Sequence, residues 1–117
     1  MAHGALLRKN FFTAEELIHI VQDFHHAGLT DVEVALMAFA QKVTSDASHV
    51  SIEDMDELRR YGMSDEEILD VVLACAARNF FSKTLDALNA TPDSAYLKLE
   101  PDLLNALSRG RPFPVPV

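Results

Sequence analysis

Apolar positions recur with the spacing of α-helices along most of the chain, and polar capping signals separate these stretches. Four hydroxyl residues are each followed three positions later by an acidic residue, the pattern that begins a helix. They are Thr13 with Glu16, Thr30 with Glu33, Ser51 with Asp54, and Ser64 with Glu67. Gly28 and Gly62 each follow an apolar-periodic stretch and precede an apolar residue, which predicts left-handed helix ends. These signals predict helices ending near Ala27, Thr44, Gly62 and Leu88.

The stretch Ser64–Leu88 differs from the others because its apolar residues cover most of the helical circumference. Ile68, Val72 and Cys75 share one face, and the neighbouring face carries Leu69, Leu73, Ala76 and Phe80. A helix that is apolar nearly all round is typical of a buried position. No stretch has the alternation of a β-strand. The sequence therefore predicts an all-α fold of five or six helices around a buried central helix.

The length of 117 residues predicts one helical domain, over residues 1–112. Residues 113–117 are predicted to form an extended tail, because the closing RPFPVPV carries three prolines and cannot be helical. The motif GLTDVE at Gly28 returns as GMSDEE at Gly62. Two copies are too few for a solenoid, so the echo is interpreted as the same helix-stop and helix-start device used twice.

The net charge is −8, with an isoelectric point near 4.9. Such an acidic chain is not predicted to bind nucleic acid or an anionic membrane, because phosphate binding requires clustered Lys and Arg. The longest apolar run is far shorter than a membrane span, and a single cysteine forms no internal disulfide. These features favour a cytoplasmic protein.

Histidines offer the first candidate chemistry. His19, Asp23 and His26 share a helical face, but it lies opposite the apolar stripe that contains Leu17 and Phe24. The three residues also lack the spacing of a closed metal-ligand set, so no metal site is predicted.

The second candidate is Cys75, on an apolar face of the central helix. A lone cysteine in such surroundings is usually an inert core residue, although Arg78 three positions on leaves a nucleophilic role open. Arg78, Asn79 and Lys83 interrupt the apolar pattern. They are predicted to be structural, with ion pairs for the two cations and a hydrogen bond from Asn79 to backbone; the alternative is that they line a cleft.

Two segments in this order, LTDVEVALMAFAQKVT and HVSIEDMDELRRYGMSDEEILDVVLACAARNFFSKTLDALN, resemble the peroxidase-related branch of the alkylhydroperoxidase D-like proteins. These belong to the carboxymuconolactone decarboxylase superfamily, and the resemblance covers roughly Ala2–Pro112. It implies an all-helical, oligomeric, cofactor-free protein. It also implies a site of the form Cys-x-x-Cys-x-x-x-His, whose thiol pair reduces peroxides with help from the histidine and an upstream glutamate.

In that family the motif is followed by a stretch like AHGALLR, which here occupies Ala2–Arg8. His3 therefore matches the histidine of the motif, whereas both cysteines and the glutamate would precede Met1 and are absent. Cys75 matches a core position instead. A further departure is Ser82-Lys83, where the family has Asn-Arg.

The leading hypothesis is thus a peroxidase-related antioxidant protein, truncated or degenerate and inactive as given, with a small-molecule peroxide as partner only if a thiol site exists. A non-catalytic helical module for oligomerisation or binding is the alternative, and a carboxymuconolactone decarboxylase-type enzyme is a third. A homo-oligomer is predicted because Leu6, Leu7, Phe11 and Phe12 lack local cover, and the Pro-rich tail is a candidate arm across a neighbour.

Overall fold

The computed structural model describes residues 1–109, and the predicted tail 113–117 lies outside the described residues. Within residues 1–109 the chain forms six α-helices and three short 3₁₀ turns, with no β-strand. The all-α class predicted from the pattern is therefore confirmed. The chain divides into two compact units, and each is described by itself.

Unit 1 combines Met1–Gly28 with the segment that begins at Ala90. Its α-helices are α1 (Ala2–Asn10), α2 (Ala14–Asp23) and α6 (Pro101–Leu107), and its 3₁₀ turns are Phe24–His26 and Ser94–Lys98. Helix α2 contacts both α1 and α6. Among the described residues of this unit, Leu17 of α2 and Leu103 of α6 are buried, with 2% and 0% of their surfaces exposed.

Unit 2 is the continuous segment Leu29–Asn89. It contains α3 (Asp31–Asp46), the 3₁₀ turn Ala47–His49, α4 (Ile52–Arg60) and α5 (Asp65–Ala87), and each of the three helices contacts the other two. One buried residue from each helix forms the core: Phe39, Leu58 and Ile68. Partly buried apolar residues surround them: Ala35, Leu36, Val43, Val50, Met55, Met63, Val71 and Val72.

The predicted helix starts are confirmed in both units. At α2, α3, α4 and α5 the hydroxyl of the N-cap residue accepts the backbone N–H three residues on, and that residue's carboxylate accepts the N-cap N–H. Gly28 and Gly62 adopt φ angles of +75° and +87°, the left-handed conformation predicted for them. Pro101 occupies the first turn of α6, as predicted, because the amide it lacks would have no helical partner there.

The predicted burial of the central helix on all sides is wrong for the described chain. Ile68 is the only buried residue of α5, whereas Leu69 and Leu73 are each 55% exposed. The physical reason is that α3 and α4 cover only the side of α5 that carries Ile68 and Val72. The opposite side keeps its apolar residues in solvent.

Candidate functional site

The histidine expected from the resemblance and the lone cysteine lie on elements of different units. His3 is exposed on α1, and its imidazole makes no hydrogen bond or ion pair with another residue of the described range 1–109. Cys75 is a free, partly buried thiol on α5. Its backbone carbonyl accepts a hydrogen bond from the Asn79 amide at 2.9 Å. Because the sequence has one cysteine, residues 1–109 contain no thiol pair.

The three polar residues that interrupt the apolar pattern of α5 divide into two kinds. Asn79 is structural, as predicted, because its amide nitrogen donates to the Cys75 carbonyl and, at 3.2 Å, to the Thr44 hydroxyl of α3. Arg78 and Lys83 are exposed and form no ion pair with any residue the structure describes. The ion pairs predicted for them are therefore absent from that part of the chain.

The face predicted for His19, Asp23 and His26 is not carried by one continuous helix. Helix α2 ends at Asp23, whose carboxylate accepts the backbone N–H of His25 and so begins a 3₁₀ turn. The His26 ring nitrogen Nδ1 donates to Asp23 Oδ2 at 2.7 Å, and this hydrogen bond lowers the pKa of the Asp23 carboxyl. Across residues 1–109 no three or more His, Cys, Asp or Glu side chains gather closely enough to hold a metal ion.

Unit 1 contains an open cleft of about 580 Å³ beside α2 and the end of α6. Ile18 and Gln22 line one wall, and Asp102, Asn105 and Arg109 line the other. Among the described residues, its lining includes neither a cysteine nor a histidine. The cleft therefore has no nucleophile of the kind that the thiol hypothesis requires.

The most distinctive surface is an exposed apolar strip on α5. Its five members, each between 55% and 76% exposed, are Leu69, Leu73, Phe80, Phe81 and Leu88. At 100° per residue they fall within an arc of about 120°. We call this strip the α5 apolar face. A contiguous exposed patch of large apolar residues is characteristic of an interaction surface, because leaving it in water is unfavourable.

Helix α1 carries the other exposed apolar residues that the sequence singled out. Leu6, Leu7 and Phe11 are 56%, 37% and 73% exposed, which confirms their lack of local cover, whereas Phe12 is partly buried. The sequence identified α1 as an interaction surface but not α5, because the periodicity that exposes the α5 apolar face was interpreted as burial. The number of helices next to α5 was the available signal for the α5 apolar face. Only α3 and α4 pack on α5 within unit 2, and two helices cannot cover it on all sides.

Comparisons of the chain with protein-family models, with curated proteins and with solved structures found no match. Among the described helices, none is both long and apolar enough to cross a membrane.

Proposed function

We propose that this chain is an alkylhydroperoxidase D-like helical module that works by association through the α5 apolar face and does not itself turn over peroxide. The observation that carries the proposal is the exposure of five large apolar side chains along one side of the longest helix. The family part of the proposal rests on the two sequence segments that resemble the peroxidase-related branch.

Association is favoured by the shape of the strip. Leu69, Leu73, Ala76 and Phe80 follow one another at spacings of four, three and four residues, the apolar repeat by which helices pack side by side. Within unit 2 the opposite side of α5 packs against α3. The α5 apolar face therefore lies on a helix that is held in place by the core, and not on a loop. A supported helix loses little conformational freedom when it binds, and this lowers the cost of association.

The absence of peroxide turnover follows from thiol chemistry. By the Cys-x-x-Cys route, a thiolate that reduces a peroxide becomes a sulfenic acid, and the second thiol of the same motif condenses with it to give a disulfide and water. This chain has one cysteine, Cys75, which is partly buried on the side of α5 that bonds to α3 through Asn79. The remaining motif residue, His3, has no thiol to activate.

A peroxide-consumption assay with dithiothreitol as reductant tests the catalytic half of the proposal. Wild type and Cys75→Ser are expected to consume peroxide at the rate of the protein-free control. Turnover in the wild type that disappears in Cys75→Ser would identify a one-cysteine enzyme and overturn this half. Equal turnover in both would point to a contaminant or a bound metal, and a loss of turnover in the variants His19→Ala and His26→Ala would identify the metal.

Light scattering after size-exclusion chromatography tests the association half. The wild type is expected to exceed the 13.0 kDa of one chain at micromolar concentration, and Leu73→Asp is expected to return it to a monomer. Ile52→Asp is the matched control, because Ile52 is 66% exposed on α4 and lies outside the α5 apolar face. An assembly that survives Leu73→Asp would show that the face is not the contact.

A further inference from the structure

The charges along α5 are unequally distributed between its two halves. The N-terminal half carries four carboxylates: Asp65, Glu66, Glu67 and Asp70. The C-terminal half carries both cations of the helix, Arg78 and Lys83, and one carboxylate, Asp86, which already has an interaction partner in the protein. The N-terminal half of α5 is therefore acidic, whereas its C-terminal half has a small positive excess. This difference distinguishes the two ends of the helix for a partner.

Four of these charges are available to another molecule. Glu66, Asp70, Arg78 and Lys83 are exposed and form no ion pair within residues 1–109. Glu66 and Asp70 lie on the same side of the helix as the α5 apolar face, and Lys83 lies at its edge. A partner helix on the face would therefore meet both its apolar residues and its uneven charge.

We propose that the occupant of the α5 apolar face is the same face of a second copy of this chain, packed antiparallel with its centre near Ala76 and Ala77. The inference rests on the proposed function and names the partner. In an antiparallel pair about this centre, Lys83 of each helix lies level with Asp70 of the other, whereas Arg78 lies near the centre, level with Cys75. In a parallel pair the two acidic halves would lie together and repel one another.

The side chains at the centre suit this arrangement. Ala76 and Ala77 are small and exposed, so two backbones can approach closely there. About this centre, Leu73 of each copy lies level with Phe80 of the other, which places a large apolar residue on both sides of the small ones. Antiparallel helices also set the positive end of each helix dipole beside the negative end of its neighbour.

The extent of the surface fits a pair of chains. The exposed parts of the five face residues amount to on the order of 600 Å² per copy, against roughly 800 Å² per partner in a specific interface. The flanking alanines and the stem of Lys83 supply further contact area. A net charge of −8 on each copy opposes association in either orientation. The preference for the antiparallel orientation therefore comes from the unequal charge of the two halves of α5.

A distance measurement on the full chain tests the orientation. A spin label at Ala87→Cys in a Cys75→Ser background reports the separation of two copies of the C-terminal end of α5. Ala87 is exposed, and in the proposed pair it lies level with Glu66 of the other copy. At 1.5 Å per residue, pulsed electron resonance is expected to give roughly 30 Å for the antiparallel pair, against about 10–20 Å for a parallel one.

The accompanying measurement is the mass of the particle. We expect twice the chain mass of 13.0 kDa, and a dissociation constant raised about tenfold or more by Leu73→Asp but unchanged by Ile52→Asp. A short label distance, or a trimer, would overturn the antiparallel pair while leaving the proposed association intact. Assembly that resists Leu73→Asp would overturn the proposed function itself, and a wild type that stays monomeric at 200 micromolar (about the upper range of such measurements) would overturn both.

Discussion

The two units bury their apolar residues in different ways. Unit 2 is one continuous segment in which three helices each contribute a buried residue to a shared core of Phe39, Leu58 and Ile68. Unit 1 is built from two segments distant in sequence, and within its described part the buried residues are Leu17 and Leu103, one from each segment. A core made of neighbouring helices costs less chain entropy to close than one that joins distant segments. The comparison indicates that unit 2 is the more self-sufficient of the two.

The α5 apolar face qualifies that conclusion. Unit 2 covers one side of α5 and leaves Leu69, Leu73 and Phe80 more than half exposed. Its core is therefore formed locally, whereas its longest helix keeps large apolar side chains exposed. Unit 1 shows a smaller version of the same feature at Phe11 of α1, which is 73% exposed. Unit 2 thus has both a core formed by neighbouring helices and an exposed apolar face.

The largest effect is expected from truncating the two most buried leucines. Leu58→Ala in unit 2 and Leu103→Ala in unit 1 are each expected to reduce the free energy of unfolding by about 2–5 kcal/mol, because each removes a fully buried side chain. Hydrogen exchange measured by mass spectrometry on peptides from each unit is expected to show the loss of protection in the unit that carries the substitution. Equal loss in both units from either variant would mean that they unfold together.

Leu73→Ala is the control for this pair, since Leu73 is 55% exposed in the chain. Measured at concentrations where the protein is monomeric, it is expected to cost under about 1 kcal/mol. A cost of 2 kcal/mol or more would mean that the side chain is covered within the monomer, which would restore the burial predicted from the sequence.

The helix end at Gly62 gives the next effect. Gly62→Ala is expected to destabilise unit 2 by about 1–2 kcal/mol, because a side chain is disfavoured at φ +87° even though nothing lies within 4 Å of the new Cβ. Gly62→Asn is expected to cost less, since asparagine tolerates the left-handed region better. Thermal unfolding of both variants checks the order, and an alanine variant as stable as the wild type would contradict it. Gly28→Ala makes the same substitution at the last residue of unit 1's N-terminal segment.

A pH dependence is expected for the ion pair that joins α3 to α4 in unit 2. The hydrogen bond from the Lys42 ammonium, at 2.5 Å, and the backbone N–H of Ser51 lower the pKa of the Asp54 carboxyl from its ordinary value. A lowered folded-state pKa stabilises the fold above the ordinary value near pH 4, and this contribution is lost as the pH falls through the folded-state pKa. Lys42→Met should therefore reduce the melting temperature at pH 7 and have little effect near pH 2, compared with Lys9→Met as a surface control.

The smallest effect is expected from the exposed ion pair of unit 1. Arg8 Nη2 lies 2.6 Å from Glu100 Oε1, and the two residues are 92 positions apart in sequence. The Glu100 backbone N–H first, and then the Arg8 guanidinium, lower the pKa of the Glu100 carboxyl. Arg8→Met is expected to lower the melting temperature only slightly, and the difference from the wild type is expected to vanish in 0.5 M salt, where exposed charges are screened. A large, salt-independent loss would show that Arg8 acts through packing.

Most of the fold could be predicted from short-range signals. The four helix starts and the two left-handed glycines depend on residues within three or four positions of one another, so the sequence displays them directly. The early end of α2 was missed because Asp23 was assigned to a helical face. Its carboxylate instead caps the 3₁₀ turn by accepting the His25 N–H. An aspartate ahead of two histidines was the available signal.

The candidate site was less predictable because it depends on what covers α5. Residues such as Leu73 and Phe80 are apolar whether a helix of the same chain or of another molecule packs on them, and periodicity cannot distinguish the two. The contribution of Asn79 was predicted correctly because its bond to the Cys75 carbonyl lies within one helical turn. Whether Arg78 and Lys83 find partners depends on distant residues, and that prediction failed.

The divided sequence of unit 1 has a consequence for how the protein is made on the ribosome. Helices α1 and α2 are synthesised before unit 2, but the helix that covers α2, α6, is synthesised only after the whole of unit 2. At a usual rate of about 5–20 residues per second, α2 therefore waits several seconds with Leu17 uncovered, while unit 2 can fold as soon as α5 has emerged. We therefore expect unit 2 to fold before unit 1 during synthesis. Helices α1 and α2 are then the segments that a chaperone would find exposed.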